Sequence, residues 1–99
     1  MPRKLFFSKN AANRLFLLLD YLETKWSSKV SNDFELKFNN CIEIINKLPE
    51  SFPKSDKDKV RHKCVVTKLT TILYKFNTKE IQIISVFDTR QDPKNIKIN

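Results

Sequence analysis

Apolar residues recur along this chain in two periods, one suited to helices and one to strands. Ala11, Ala12, Leu15, Leu18, Leu19 and Leu22 fall at steps of three and four, the spacing of an amphipathic helix that leaves Arg14, Asp20 and Glu23 toward water. Ser8 stands just ahead of them as an N-cap, its hydroxyl suited to accept a bond from an amide of the first turn. The short apolar run Lys4 to Phe7 before it reads as a strand. Val30, Phe34, Phe38, Cys41, Ile45 and Leu48, widened by Ile42, predict a second helix that begins between Ser27 and Ser31. Pro49 disfavours helical geometry at Leu48, so that helix ends there. Lys25 to Ser28 is the corner of a helical hairpin, where Trp26 is expected to close one end of the core.

Beyond Pro49 the period shortens. Pro49 to Lys59, with two prolines and dense charge, reads as a loop. Three strands are predicted after it, Arg61 to Val66, Thr70 to Phe76 and Ile81 to Phe87, joined by connections of hairpin length. In the last strand simple alternation places Ile81, Ile83, Ser85 and Phe87 on one face and Ile84 and Val86 on the other. Two partly apolar faces predict an interior strand. The pattern then breaks into the polar rim Asp88 to Pro93, which sets functional groups at the end of a rigid element. The tail, 94–99, reads as flexible, with Ile96 and Ile98 able to pair with a sheet edge. The order β-α-α-β-β-β gives one α+β domain over 1–99, an antiparallel sheet packed on a two-helix hairpin.

Composition narrows the function. The chain has 99 residues, 40% of them hydrophobic, with eight Phe, enough for one modest core. Nineteen Lys and Arg against eleven Asp and Glu give a net charge of +8. The excess is concentrated between Lys54 and Lys79, where seven Lys and Arg61 face only Asp56 and Asp58 before Glu80. Such a surface favours a polyanionic partner, a nucleic acid or an acidic protein segment. The candidate binding residues are Arg61, His62, Lys63, Lys68, Lys75 and Arg90, with His62 expected at the surface among its basic neighbours. The absence of glycine excludes a phosphate-binding glycine loop. One histidine and two cysteines, Cys41 and Cys64, match no zinc spacing, so no metal and no cofactor is expected, and the cysteines read as buried free thiols. No apolar run is long enough to span a bilayer and the start M-P-R-K-L-F-F-S lacks a signal-peptide core, so the expected location is the cytoplasm, away from membranes.

Several stretches together carry a resemblance. They are S-K-N-A-A-N-R-L from Ser8, D-Y-L-E-T-K-W-S from Asp20, F-P-K-S from Phe52, I-L-Y-K-F from Ile72 and I-I-S-V-F-D-T-R-Q-D-P from Ile83. In this order and spacing the chain resembles the RelE/ParE family of bacterial toxins from type II toxin–antitoxin systems, between Ser8 and Pro93. The resemblance implies a toxin held inactive by a cognate, acidic antitoxin in a hetero-oligomer, in some systems serving plasmid stabilisation. RelE-like members cleave mRNA in the ribosomal A site, whereas ParE-like members bind and inhibit DNA gyrase without catalysis.

A ribonuclease of this kind needs a cationic clamp, a base and an acid around one phosphate. Arg90 matches the arginine that the resemblance places near the end of the last strand, and it is the catalytic candidate if the chain is an RNase. The arginine expected three residues before the tyrosine of the middle strand is absent, since Thr71 precedes Tyr74 there. No Tyr or His follows Arg90. These departures favour a ParE-like toxin that acts by binding. The alternatives are a RelE-like ribosome-dependent endoribonuclease and a basic nucleic-acid-binding module without toxicity.

Overall fold

The computed structural model describes residues 3–55 and 58–89, with the side chains of 58 and 59 outside the description. The rim beyond Thr89, including Arg90, and the tail with Ile96 and Ile98 lie outside the described residues. Within them the order is β1 (Lys4–Phe7), α1 (Lys9–Lys25), α2 (Ser28–Lys47), a 3₁₀ turn (Pro49–Ser51), β2 (Lys54–Ser55), β3 (Asp58–Thr67), β4 (Thr70–Phe76) and β5 (Glu80–Asp88). This is the α+β arrangement that the periodicity predicts.

Both helix starts obey their capping chemistry. Ser8 Oγ accepts from the Ala11 amide at 3.0 Å, and Ser27 Oγ accepts from the Val30 amide at 3.1 Å. At the other end of α2 the Leu48 amide donates to the Ile44 carbonyl at 2.7 Å before Pro49 stops the helix. Pro49 to Lys59 is more ordered than a loop: it holds the 3₁₀ turn and β2, and β3 already begins at Asp58. Trp26 does not close the core; at the α1 C-cap it is 58% exposed. Leu48 likewise faces water, because the chain turns there.

The strands form one sheet in the order β1-β5-β4-β3-β2. The β2–β3, β3–β4 and β4–β5 pairs are antiparallel. β1 departs from the expected all-antiparallel sheet, running parallel to β5 with Lys4 opposite Glu80 and Phe7 opposite Ile83. The two-helix crossover between β1 and the hairpins makes that possible, since parallel neighbours need a long connection. β5 is therefore interior along its first half, as predicted.

The second half of β5 does not follow simple alternation. Tyr74 is opposite Ile83 but Leu73 is opposite Ser85, so β5 carries one extra residue, a β-bulge around Ile84. Before the bulge Ile81 and Ile83 face the helices; after it Val86 and Asp88 do. Phe87 is thereby turned away from the face of Ile81 and Ile83 and is 44% exposed, with the Arg14 guanidinium 5.9 Å from its ring centre. The bulge is tied to the start of α1. The Ser8 amide donates to the Ile83 carbonyl and its hydroxyl to the Ile84 carbonyl, both at 2.9 Å.

The core lies between the helices and this one sheet face. Ala11, Leu18 and Leu22 of α1 and Phe34, Phe38 and Ile45 of α2 meet Cys64, Ile72, Tyr74, Ile81, Ile83 and Val86. Tyr74 is fully buried, and its hydroxyl donates to the Pro49 carbonyl at 2.6 Å, which fastens the 3₁₀ turn to the sheet. Burial, then negative charge at Cys64 and Glu50, pushes its phenol up. Cys64 is pushed up to about 12 by burial first, then by the charge of Cys41 and contact with its thiol.

The bulge sets the cost of substitutions in β5. Phe87→Ala is expected to cost less than about 1 kcal/mol, while Ile83→Ala costs roughly 2–5 kcal/mol, as read by chemical denaturation. A second expectation concerns alkali. The folded Cys64 thiol titrates above its ordinary value of 9.0, so the stability gained by keeping it neutral is complete below about pH 9. It drains away as pH rises from there toward about 12. Melting temperatures should fall less steeply above pH 9.0 in Cys64→Ala than in the parent, even though the variant starts lower.

Candidate functional site

Residues directly opposite one another in a sheet share a face, and the register therefore arranges the sheet face turned away from the helices into three rows. Phe6, Gln82 and Lys75 form the first row, and Arg61 lies one step beyond the His62–Tyr74 pair on the same side. Ser85, Leu73 and Lys63 form the second; Phe87, Thr71 and Val65 form the third. Strands sit about 4.8 Å apart and alternate residues about 6.6 Å apart along a strand, so Arg61, Lys63 and Lys75 gather at one end. Arg61, Lys75, Val65 and Phe87 are exposed, and the rest of the face is half-buried. A shallow depression of about 230 Å³ opens at the Lys75 end, lined by Phe6, Val60, Phe76 and Gln82 among others.

Three of the six candidate binding residues thus share one surface. Lys68 stands apart, in the turn between β3 and β4 at the opposite end. That turn abuts the last described residue, because the Thr89 amide donates to the Leu69 carbonyl at 3.0 Å. Arg90 lies outside the described residues. His62 does not sit at the surface: it belongs to the alternation of Cys64, faces the helices and is only 9% exposed. Its ring stacks on Tyr74 at 5.5 Å and meets Phe76 at 5.1 Å. Nδ1 is 2.8 Å from the Phe52 carbonyl, which can only accept, so that nitrogen carries a proton and donates. The expected surface position of His62 is thus corrected, because its ring packs among Tyr74 and Phe76.

Asp88 of the polar rim is also inward. Its carboxylate accepts a hydrogen bond from the Thr70 hydroxyl, both residues being buried on the helix side of the sheet. Residue-type reasoning missed the apolar members of the outer face, Val65, Leu73 and Phe87. Two of them carry a readable signal, since Arg61, Lys63 and Val65 alternate in β3 and Leu73 and Lys75 alternate in β4. Phe87 carries none, because only the bulge turns it out.

The outer face combines cations with apolar and aromatic contact area. Cations on a surface can attract and steer an anionic partner, and Phe6, Val65, Leu73 and Phe87 add apolar area beside them. Among the described residues no group of three or more His, Cys, Asp or Glu could hold a metal ion. No helix among them is long and apolar enough to cross a membrane. On this geometry, Lys63→Glu with Lys75→Glu should weaken retention on a polyanion resin at low ionic strength by several-fold or more. The melting temperature should move little, as expected for side chains outside the core.

Neither a protein-family model nor a curated protein matches the sequence. Solved structures do match. A chain of the chromosomal ParDE TA system from P. aeruginosa superposes with a TM-score of 0.74 at 11% identity, covering 87% of this chain and 95% of that one. A chain of the E. coli DinJ-YafQ toxin-antitoxin complex gives 0.65 at 10% identity, with 91% and 96% covered. The YoeB dimer from Staphylococcus aureus gives 0.61 at 14% identity, with 88% and 97% covered. Identities this low establish likeness of fold, and that fold spans nearly the whole of each chain. The chain therefore has the fold of the RelE/ParE toxins.

Proposed function

We propose that this chain is the toxin of a toxin–antitoxin pair, that it acts by binding rather than by catalysis, and that its target is DNA gyrase, as a ParE-like resemblance implies. One observation carries the choice of mechanism. At the position where the resemblance expects a catalytic arginine the outer face has Thr71, flanked in its row by Val65 and Phe87. Stabilising a phosphate in phosphoryl transfer takes cations converging on one point, and this row offers an apolar strip instead. The tyrosine of the same strand, Tyr74, is buried with its hydroxyl committed to Pro49, so it serves the core. Arg61, Lys63 and Lys75 suit an acidic protein surface reached through electrostatic steering.

The same face suits the neutralising partner. ParDE and DinJ-YafQ are toxin–antitoxin assemblies, and an acidic antitoxin segment with apolar anchors would answer both the charges and the apolar strip here. Opposite charge makes such an association faster at low salt.

Purified chain is expected to inhibit supercoiling by gyrase and to leave mRNA on translating ribosomes intact. Position-specific cleavage in the ribosomal A site that disappears in Arg90→Ala would overturn the binding mechanism and establish a RelE-like endoribonuclease. Neither effect, together with salt-sensitive retention of nucleic acid, would instead mark a basic module without toxicity.

A further inference from the structure

Cys41 and Cys64 come from elements far apart in sequence and meet in one layer of the molecule. Cys41 lies on the stripe of α2 that carries Phe38 and Ile45 into the core, and it is half-buried. Cys64 lies on the helix-facing side of β3, opposite Ile72, and is buried. α2 packs against β3, and both thiols are free. These are the chain's two cysteines. Two unpaired thiols, one half-buried and the other buried and in contact with it, form a pair rather than two separate core residues.

We propose that Cys41 and Cys64 are a redox modification site, at which a peroxide oxidises Cys41 and Cys64 then closes an intramolecular disulfide between α2 and β3. The inference is independent of what the chain binds. In the first step the Cys41 sulfur attacks one peroxide oxygen and the O–O bond breaks. Cys41 becomes a sulfenic acid, and the other oxygen leaves as water after taking the thiol proton. In the second step the Cys64 sulfur attacks the Cys41 sulfur, the S–O bond breaks, and the hydroxyl leaves as water with the Cys64 proton. In sum, two thiols and one peroxide give one disulfide and two waters. Cys41 is oxidised first because it is the thiol that solvent reaches. Cys64 is inert alone, since burial keeps it protonated and thiolate is the reactive form. It reacts only where an oxidised sulfur has been placed against it and its proton can pass to the departing oxygen.

The crosslink would join α2 to the strand that presents Arg61 and Lys63 on the opposite side of the sheet. It would also enclose the 3₁₀ turn and the Phe52–His62 contact within one covalent loop.

The test uses the full chain, reduced and freed of reductant, with hydrogen peroxide as the probe. Alkylation after denaturation counts free thiols, and peptide mapping without reduction identifies crosslinks. The expected result is loss of both thiols, a monomer lighter by two hydrogens, a Cys41–Cys64 crosslinked peptide, and recovery of both thiols with dithiothreitol. Cys64→Ala should stop at a Cys41 sulfenic acid that a cyclic 1,3-dione traps, while in Cys41→Ser the Cys64 thiol should survive the same exposure unmodified. Over-oxidation of Cys41 in the parent with Cys64 still free, or crosslinks only between molecules, would overturn the proposal. Either reading comes from the parent chain alone, so it holds even if a variant fails to fold.

Discussion

The part of β5 that reaches the outer face beyond Ile84 depends on the junction at Ser8. Its amide and hydroxyl donate to the consecutive carbonyls of Ile83 and Ile84, and its oxygen accepts from Ala11. One residue thus ends the parallel β1–β5 pair, starts α1 and satisfies backbone groups at the bulge. A bulge leaves a residue out of the ladder, and buried carbonyls without partners are costly. Ser8 removes that cost where α1 approaches the sheet. Once the bulge is held, the alternation of β5 is reversed beyond it, Val86 enters the core and Phe87 joins Thr71 and Val65 outside.

This junction also marks the limit of what could be read from the sequence. β1, the Ser8 cap and β4 were legible to the residue, because apolar period and capping chemistry act locally. The bulge was not. I-Q-I-I-S-V-F-D contains no glycine and no break in apolar character to announce it, and it arises from a contact with a residue 76 positions away, Ser8 to Ile84. The extra residue inverts every later assignment, which is why simple alternation sets Phe87 on the face of Ile81 and Ile83. Trp26 misled for a different reason: its size favours burial on average, but at a C-cap its placement follows the turn of the backbone. His62 is buried although both its sequence neighbours, Arg61 and Lys63, are charged. Alternation in β3 opposes Arg61 and Lys63 to His62 and Cys64, and the period, rather than adjacency, decides the face.

The candidate site was legible in its charges and not in its shape. Clustering of Lys and Arg between Lys54 and Lys79 is a property of composition. Which of them share a surface depends on register, and register brings Arg61, Lys63 and Lys75 together while leaving Lys68 at the far turn. The result is graded from one end to the other, cationic beside the Lys75 depression and apolar beside Phe87. Long-range attraction and short-range contact are therefore separated along the strands by a few residues. A partner that matches both must be acidic at one end and apolar at the other, which fixes the direction in which it lies.

The parallel pairing of β1 with β5 has a consequence for how the domain comes into being. Lys4 finds its partner in Glu80, so β1 is completed only by a strand that follows both helices and both other long strands. A contact that spans most of the chain is entropically the slowest to form. During synthesis α1 can wind as soon as it emerges, but the sheet it should cover has no centre until β5 is available. β5 is also the element that fixes the outer rows, through its pairs with β4 and its bulge. The β3–β4 hairpin can pair locally, but the rows of the outer face are complete only once β5 has joined it.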